Sequence, residues 1–404
     1  MKNKMKEQIS IKLYKLVLIF IFIILISVFT TVLFVSRGNT NNINVIKSNK
    51  LDEASYKFVK AYNIIKDGYY KDVDLDKGID GAINGLLETL NDPHTSYFSR
   101  ESKDQFYDVM NGSYKGIGAE ISENNDNEVI VLSVFKNSPG AKIGLQTNDV
   151  ILEVNGVSIK GKTPSEAVTL IKDPDKENAL IKIRRDSKEL EFDIVKEIIT
   201  LDSVESNIYK SNNKKIGYVS VNIFADNTYS QFKSAVEELE EKNIDSLIID
   251  VRNNSGGYLY SVTDMLNMFF KKGEVVYQIA DKTVTTKFKD STSENRTYEI
   301  AVLINESSAS ASEILAVAFK EAYNAKIIGA TSYGKGTVQA TYDFSDGAMI
   351  KYTIQKWLSP KGNWINKIGV TPTIEVKQSS KYAKSQVFEN DTQLKKAIEE
   401  LSKD

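Results

Sequence analysis

The segment SLIIDVRNNSGG, residues 246–257, places a strongly apolar strand directly before a turn that contains two adjacent glycines. Strand and helix patterns alternate on both sides of this segment, which predicts an α/β layer structure. The predicted strands after residue 200 are 217–224, 246–251, 300–304, 326–329 and 351–358. The predicted helices are 228–242, 261–270, 312–323 and 391–401.

The N-terminal segment LVLIFIFIILISVFTTVLFVS, residues 16–36, is 21 residues long and carries no charge. A helix rising about 1.5 Å per residue would cross a hydrocarbon core of roughly 30 Å with this length. Five lysines precede the segment, so everything after Arg37 is expected to lie outside the cytoplasm. A cleaved signal peptide is the alternative, but no clear cleavage site precedes Arg37. We therefore expect an uncleaved, single-pass anchor in the cell membrane.

Histidine occurs once, at His94, and cysteine is absent. This composition excludes a cysteine nucleophile, and a Ser-His-Asp triad would have to be built around His94 alone. We expect His94 to cap or pack within the turn of residues 91–98 instead. No metal and no cofactor is expected, because histidine and cysteine ligands are missing and no acidic loop has calcium spacing. The chain has 52 basic and 54 acidic side chains, which gives no indication of a nucleic-acid partner.

The patterns divide the chain into six segments. Apolar residues at helical spacing indicate helices between residues 51 and 88, and short strands with tight turns follow up to residue 194. The predicted segments are a cytoplasmic tail and anchor (1–37), a linker (38–50), a helical region (51–102), a β-rich domain with short helices (103–197), an α/β core (198–378) and a helical tail (379–404).

The segment SASASE, residues 308–313, lies where the predicted strand 300–304 gives way to the predicted helix 312–323. Free N–H groups at the start of a helix favour an alkoxide or oxyanion, and small neighbours allow a peptide carbonyl to approach. Taken alone, the segment is better explained as a simple helix cap.

The turn of residues 253–257 allows three interpretations. It could be a plain turn, a loop that cradles phosphate, or a donor of backbone N–H groups to a substrate oxygen. No Gly-Lys-Ser/Thr sequence opens a helix after it, which argues against the phosphate loop. Two adjacent glycines would let the backbone come close to a substrate.

Together, ten short motifs resemble the carboxyl-terminal processing proteases, a family of serine proteases that use a Ser-Lys pair. The resemblance spans about residues 51–376, and the order of the motifs makes it specific. The motifs are, in order, DPHTSYF (92–98), GIGA (116–119), SPGA (138–141), DVI (149–151), NG (155–156), DVRNNSGG (250–257), SASASE (308–313), GKGTVQ (334–339), SPKG (359–362) and GVTP (369–372).

The resemblance implies a role for each of five site residues. Ser310 would be the nucleophile, Lys335 the general base and Gln339 the residue that orients the lysine. The N–H of Ala311 would bind the oxyanion together with a glycine of the 256–257 pair. Gly256 is favoured for this role, although the sequence does not separate the two glycines.

The sequence around Lys335 suits a base. A lysine with a pKa near 10.4 is almost wholly protonated at neutral pH, so it must be desolvated before it can accept a proton from serine. Lys335 stands between two glycines, which lets the backbone pack closely around its stem. Gln339 could hold the nitrogen without adding a charge that raises its pKa.

Residues 103–197 resemble a PDZ domain, which captures the free carboxylate of a chain through backbone N–H groups. The carboxylate loop would be formed by Gly116, Ile117, Gly118 and Ala119. The alternative is that this domain only packs against the protease. A departure from the family follows the PDZ helix, where Lys172-Asp173 replaces the Arg-Gly turn of many members.

The sequence as a whole thus predicts a multidomain α/β protein with an N-terminal membrane anchor, a helical region, a PDZ domain and an α/β protease core with a mixed sheet. Its function would be that of a serine endopeptidase on the bacterial surface. It would bind the free C-terminus of protein or peptide substrates and cleave them through an acyl-enzyme. One alternative is a catalytically inert, membrane-anchored binding protein, and another is a protease held latent until substrate engages the PDZ domain. The family's terminal helices can also mediate a homodimer.

Overall fold

The computed structural model describes residues 45–382 and 384–403. The expected membrane anchor, residues 16–36, lies outside these residues. Within the described part of the chain, no helix combines the length and the apolar character needed to cross a membrane. The described residues divide into two compact units between Gly81 and Ala82.

Nine α-helices occur among the described residues. They are α1 Val45–Gly68, α2 Leu75–Glu88, α3 Arg100–Asn111, α4 Pro139–Lys142, α5 Pro164–Lys172, α6 Thr228–Glu241, α7 Leu259–Asn267, α8 Ala311–Ala318 and α9 Thr392–Leu401. A π-helical turn, Phe319–Tyr323, extends α8, and a 3-10 turn, Phe388–Asn390, precedes α9. The predicted N-cap of the last helix is confirmed, since Asp391 accepts a hydrogen bond from the Leu394 N–H at 2.9 Å.

Nineteen strands occur among the same residues. They are β1 Ser96–Phe98, β2 Ser113–Gly116, β3 Ala119–Glu123, β4 Val129–Val134, β5 Val150–Val154, β6 Val157–Ser158, β7 Asn178–Arg185, β8 Lys188–Val195, β9 Glu197–Thr200, β10 Val204–Ser211, β11 Lys214–Val221, β12 Ser246–Asp250, β13 Val275–Ala280, β14 Thr285–Lys289, β15 Glu299–Ile304, β16 Lys326–Gly329, β17 Thr337–Asp343, β18 Met349–Leu358 and β19 Ile374–Glu375.

A six-stranded mixed sheet in the order β10-β11-β12-β15-β16-β19 forms the centre of the α/β core. Strand β10 is antiparallel to β11, and the other strands are parallel. The sequence patterns missed β10, which joins β11 through Asn212 and Asn213. Both asparagines have positive φ angles, 48° and 61°, as a tight hairpin turn requires. The alternation of strands and helices that the sequence predicts is otherwise confirmed.

Both faces of the sheet are buried at its centre, which explains why β12, β15 and β16 are almost continuously apolar. One face packs against α6, α7 and α8, and the other against α9. Successive residues of β12 pack on opposite faces of the sheet. Leu247 and Ile249 belong to the first core, with α6, α7 and α8, and Ile248 belongs to the second, with α9. Parallel strands end at the same edge of a sheet, so the loops that follow β12 and β15 are neighbours.

An antiparallel sheet lies against the first core and is organised by the long strand β18. Along one edge β18 pairs with β17, and along the other with β1 and then β13. Trp357 of β18 is fully buried in the core of the α/β layer. The central sheet and the antiparallel sheet therefore share one core, and the loop between β16 and β17 connects them.

A third sheet, in the order β3-β4-β5-β7-β8, encloses a separate core with the helix α5. Its turns have the predicted chemistry, because Asn148, Asn155 and Gly156 adopt positive φ angles of 69°, 54° and 80°. A two-stranded ribbon of β2 and β9 brings the two ends of this region together.

Candidate active site

Ser310 lies at the predicted junction between β15 and α8, where it is the N-cap residue of the helix. Its backbone has φ 57° and ψ −114°, a conformation that is unfavourable for a residue with a Cβ atom. Two hydrogen bonds hold this turn. The Ser310 N–H donates to Glu313 Oε2 at 2.9 Å, and the Glu313 N–H donates to the Ser310 carbonyl at 2.9 Å. The strain is therefore offset by contacts within the first turn of α8.

The Glu313 carboxylate is completely buried and connects two loops. Oε1 accepts the Ser332 hydroxyl at 2.6 Å and the Gly334 N–H at 2.7 Å. Oε2 accepts the Lys335 N–H at 2.8 Å in addition to the Ser310 N–H. A buried carboxylate is tolerated when its oxygens are saturated by donors, and four donors meet that requirement here. The Glu313 side chain thus holds the backbones of Ser310 and Lys335 at fixed positions relative to each other.

Lys335 lies on the loop between β16 and β17, and the indoles of two tryptophans bind the backbone of this loop. The Trp357 indole donates to the Lys335 carbonyl at 2.9 Å, and the Trp364 indole donates to the Gly336 carbonyl at 2.8 Å. A Cβ atom on Gly336 would lie only 2.6 Å from Trp364 Nε1. The glycine next to Lys335 is therefore required for close packing, as the sequence indicates.

Burial lowers the pKa of Lys335 below its ordinary value, and the positive charge of Lys351 lowers it further. The carboxylates of Asp92 and Glu313 act in the opposite direction but do not reverse the shift. A lowered pKa increases the fraction of neutral amine at neutral pH, which is the form that can accept a proton.

Gln339 is held by two threonines. Its amide nitrogen donates to Thr337 Oγ1 at 2.9 Å and to Thr353 Oγ1 at 3.1 Å. No hydrogen bond joins it to Lys335 in the described part of the chain, although both residues line one cleft. The amide oxygen is therefore the atom of Gln339 that is left to face a lysine nitrogen.

Asp92, the first residue of the DPHTSYF motif, connects this motif to strand β18. Its carboxylate accepts the hydroxyls of Thr353 at 2.6 Å and Thr95 at 2.7 Å, and the His94 N–H at 3.0 Å. Burial acts to raise the pKa of Asp92, but these hydrogen bonds outweigh it and the pKa is lowered. Burial, followed by the charge of Lys335, lowers the pKa of His94. The His94 ring lies 6.4 Å from the ring of Tyr333, centre to centre.

The two glycines of the 253–257 loop differ in their hydrogen bonds. The Gly256 N–H donates to Asn254 Oδ1 at 2.8 Å, whereas the Gly257 N–H has no acceptor within the residues that the structure describes. The loop packs directly on Ser310 and Ala311, since a Cβ atom on Gly256 would lie 2.8 Å from Ser310 Cβ and 3.2 Å from Ala311 N. The Ala311 N–H likewise has no acceptor among the described residues.

Asn254 fixes this arrangement and received no role from the sequence. Its side chain is fully buried and donates to the Val221 carbonyl at 2.8 Å. Its own carbonyl accepts the Ala309 N–H at 3.0 Å and the Ser312 hydroxyl at 2.8 Å. The glycine loop and the Ser310 loop are therefore tied together on both sides of Ser310.

One cleft of about 660 Å³ brings the predicted protease residues together. Its apolar part is contributed by residues such as Phe106, Met110, Leu259 and Ile314. Its polar part contains, among others, Gly256, Gly257, Ser310, Ala311, Lys335 and Gln339. An apolar cleft with a few convergent polar groups is typical of an enzyme active site.

The predicted carboxylate loop joins the end of β2 to the start of β3, and none of its four residues lines the cleft. The carbonyls of Ile117 and Gly118 accept the N–H groups of Gly140 and Phe135 at 2.8 and 2.9 Å. Gly118 has a φ angle of 71°, and a Cβ atom there would lie 2.2 Å from Ser138 Cβ. This loop is a closely packed feature of the third sheet and separate from the cleft.

Comparisons with known families agree with this arrangement. Residues 215–376 match the family described as Peptidase family S41, and residues 130–185 match the PDZ domain. Residues 27–102 match the family described as Activating protease CtpB N-terminal domain.

The curated relatives point in the same direction. The chain is 42% identical over 330 residues to the carboxy-terminal processing protease CtpB of Bacillus subtilis, covering 81% of this chain and 68% of the relative. It is 34% identical over 363 residues to CtpA of the same organism, covering 89% and 77%. A putative S41 protease from Bacteroides fragilis shares the fold, with a TM-score of 0.51 at 14% identity over 84% and 96% of the two chains. The chain therefore belongs to the carboxy-terminal processing proteases of peptidase family S41, which are serine peptidases that contain a PDZ domain.

Proposed function

We propose that Ser310 is the nucleophile and Lys335 the general base of an endopeptidase that cleaves protein substrates near a free C-terminus. The observation that carries this proposal is the Glu313 carboxylate, which binds the backbone N–H groups of both residues. A serine needs a base close by to lose its proton, and a lysine needs a lowered pKa to act as that base. Two observations support the proposal: both residues line the described cleft, and the pKa of Lys335 is lowered.

The reaction follows from these groups. The neutral Lys335 amine takes the Ser310 hydroxyl proton while Ser310 Oγ attacks the carbonyl carbon of a peptide bond. The resulting oxyanion accepts hydrogen bonds from two backbone N–H groups. Lys335 then returns the proton to the departing amine, which leaves an acyl group on Ser310. Water hydrolyses this ester with Lys335 again acting as base.

For the oxyanion donors we propose the N–H groups of Ala311 and Gly257. The sequence favoured Gly256, but its N–H is already bound to Asn254 Oδ1, and an engaged donor is a poor candidate for a developing negative charge. Gln339 would orient the protonated lysine through its amide oxygen, because its nitrogen is bound to two threonines.

Three chains test these roles: the wild type, Ser310→Ala and Lys335→Ala. Each is incubated with an unstructured protein, and the products are identified by mass spectrometry. Cleavage by the wild type alone supports the proposal. Cleavage that survives in Lys335→Ala rejects the lysine as the base. An inert binding protein, the alternative considered from the sequence, would leave the substrate intact in all three.

We further propose that the loop of Gly116, Ile117, Gly118 and Ala119 binds the substrate's terminal carboxylate. Two peptides of identical sequence, one with a free C-terminus and one amidated, distinguish recognition from simple packing of the PDZ domain. Slower cleavage of the amidated peptide is expected, because amidation removes the negative charge that backbone N–H groups bind. Equal rates would reject tethering. Cleavage of a short peptide in the absence of any PDZ ligand would reject latency.

The remaining proposals concern location and assembly. Residues 16–36 would anchor the protein in the bacterial cell membrane with the protease outside, and the terminal helices would support a homodimer. The apolar character of residues 16–36 and the five preceding lysines support the first proposal. Fractionation of cells, followed by protease treatment of intact spheroplasts, tests the anchor and its orientation. Sedimentation of the purified chain tests the dimer.

A further inference from the structure

Lys351 is a second lysine in the catalytic cleft, and neither the sequence motifs nor the reaction above uses it. It lies on β18, where its neighbours across the two edges are Ser96 and Thr341. Its ammonium lies 5.2 Å from the ring centre of Phe98 and 5.2 Å from that of Phe106. In the part of the chain that the structure describes, no carboxylate is paired with it. Lys351 is thus a partly buried cation enclosed by aromatic rings.

Aromatic faces stabilise a cation that has left water, and they do so without cancelling its charge. A carboxylate at the same place would neutralise the lysine and shield its field. The two rings come from different elements, Phe98 from β1 and Phe106 from α3, and their centres are 5.3 Å apart. The DPHTSYF motif contains both Asp92 and β1, and α3 follows it closely, so this stretch of chain positions Asp92 and the two rings.

Four titratable groups surround Lys335. Asp92 lies before β1, Glu313 on α8, His94 beside Asp92, and Lys351 on β18. The two carboxylates favour a protonated Lys335, but their oxygens are occupied by hydroxyl and N–H donors. Burial, and then the Lys335 charge, lower the pKa of His94, so its imidazole is neutral at pH 7. Lys351 is the only one of the four whose charge opposes protonation of Lys335.

Lys335 and Lys351 line the same cleft. Burial lowers the pKa of both side chains, and the charge of Lys351 lowers the pKa of Lys335 further. A positive charge held on Lys351 therefore favours the neutral form of Lys335.

We propose that Lys351 is a positioning residue whose caged positive charge keeps the Lys335 amine free of its proton and ready to receive the proton of Ser310. This inference rests on the proposed function. It also gives Lys351 a part in the second half of the reaction, because the same repulsion favours transfer of the proton from Lys335 to the departing amine.

The test is the pH dependence of kcat/KM for the full chain and three variants. Lys351→Met removes the charge and keeps the length of the side chain, while Lys351→Arg retains the charge. Lys356→Met is the matched control. Lys356 also lies on β18 and its ammonium lies 5.2 Å from the ring of Trp364, but it is exposed and outside the cleft.

The acid limb of the Lys351→Met profile is expected to move to higher pH, with kcat/KM about tenfold lower at pH 7 and a return toward the wild-type value at high pH. Lys351→Arg and Lys356→Met should keep the wild-type limb. Should Lys351→Met fail to fold, Lys351→Gln carries the same expectation. The pH dependence of Ser310 labelling by a fluorophosphonate gives a second measurement that does not require substrate.

An unchanged limb in Lys351→Met, with activity lowered equally at every pH, overturns the inference and leaves Lys351 a packing residue. A rise in KM alone also overturns it, because Lys351 would then contact substrate. Full activity in Lys335→Ala would reject the proposed function itself. Loss of activity in Lys335→Ala with no shift in Lys351→Met would reject only the role of Lys351.

Discussion

The side chain of Glu313 accepts the backbone N–H of Lys335 at 2.8 Å. The two residues are separated by a helix, a strand and a loop, and the contact fixes the start of the helix α8 against the loop that carries the lysine. Because Glu313 also binds the Ser310 N–H, one buried carboxylate joins the backbones of the proposed nucleophile and the proposed base.

Replacing Glu313 with Gln tests this dependence. A glutamine keeps the shape of the side chain but turns an NH₂ group toward N–H and hydroxyl donors, which cannot all be satisfied. We expect kcat to fall about a hundredfold, since small displacements of catalytic groups have effects of that size. Unfolding in urea should show a loss of about 1–3 kcal/mol.

Glu321→Gln is the control for that variant. Glu321 also accepts a backbone N–H, from Lys361 at 2.8 Å, but it lies outside the cleft. Its kcat should remain close to the wild-type value. Wild-type kcat in Glu313→Gln would contradict the role assigned to the carboxylate.

Lys335→Met should make the protein more stable at neutral pH. The pKa of Lys335 is lowered in the folded state, so below that folded pKa the protein keeps a buried charge that the unfolded chain solvates freely. The unfolded state binds more protons between the folded pKa and the ordinary value of 10.5, so the cost disappears as pH rises through this window. The expected gain at pH 7 is on the order of 1 kcal/mol.

Urea unfolding at pH 7 and near pH 10.5 measures this change, and the difference between Lys335→Met and wild type should shrink at the higher pH. Lys356→Met should show little change at either pH, because Lys356 is exposed. If Lys335→Met were less stable than wild type at pH 7, the claim that the Lys335 ammonium is desolvated in the folded protein would be rejected.

Gly256→Ala should abolish activity. Gly256 has a φ angle of 106°, and its added Cβ atom would lie 2.8 Å from Ser310 Cβ and 2.9 Å from the Ala309 carbonyl oxygen. Ser310 or the glycine loop must therefore move, and we expect kcat/KM to fall at least about a hundredfold.

Gly161→Ala separates this steric effect from backbone strain. Gly161 has a φ angle of 76°, but an added Cβ atom there would meet nothing within 4 Å. Some loss of stability is expected in both variants, whereas activity should fall only in Gly256→Ala. An active Gly256→Ala enzyme would show that the loop and Ser310 are not in the contact described.

Asp391→Asn should lower the free energy of unfolding at neutral pH but not in acid. The Arg252 guanidinium donates to Asp391 Oδ2 at 2.8 Å and to Asp391 Oδ1 at 2.9 Å, and both side chains are buried. Burial acts to raise the pKa of Asp391, but the hydrogen bonds and charge of Arg252 outweigh it, so the pKa is lowered. The carboxylate therefore contributes stability above its ordinary pKa of 3.8, and this contribution is lost as pH falls through the folded pKa.

At pH 7 the loss should be about 1.5–3 kcal/mol, the usual value of a hydrogen bond to a charged group. Asparagine can still cap α9, so the change reports the charge rather than the cap. Asp343→Asn is the control, because its half-exposed carboxylate lies 3.6 Å from Lys103 and such surface pairs contribute little. The difference between Asp391→Asn and wild type should shrink below pH 3.8, and a difference independent of pH would refute the assignment.

Local chemistry made much of the fold predictable. Turns at Asn148 and Asn155-Gly156, the cap at Asp391 and the apolar strands of the central sheet each depend on residues a few positions apart, which periodicity and turn chemistry capture. The patterns missed β10, β13, β14 and β17, because the pairing of these strands depends on partners far along the chain. The proposed domain boundaries stay predictions.

The sequence by itself determined the α/β layers, the Ser310 and Lys335 motifs, and the family to which they belong. Only the tertiary structure decided which polar groups meet. Glu313 and Asn254 stand inside quoted motifs, yet their importance lies in hydrogen bonds across 19 to 58 residues of chain. The two glycines at 256 and 257 are adjacent in sequence, and the Asn254 amide distinguishes them by occupying one N–H. The physical reason is that hydrogen bonding and burial depend on distance in space, which a linear pattern does not contain.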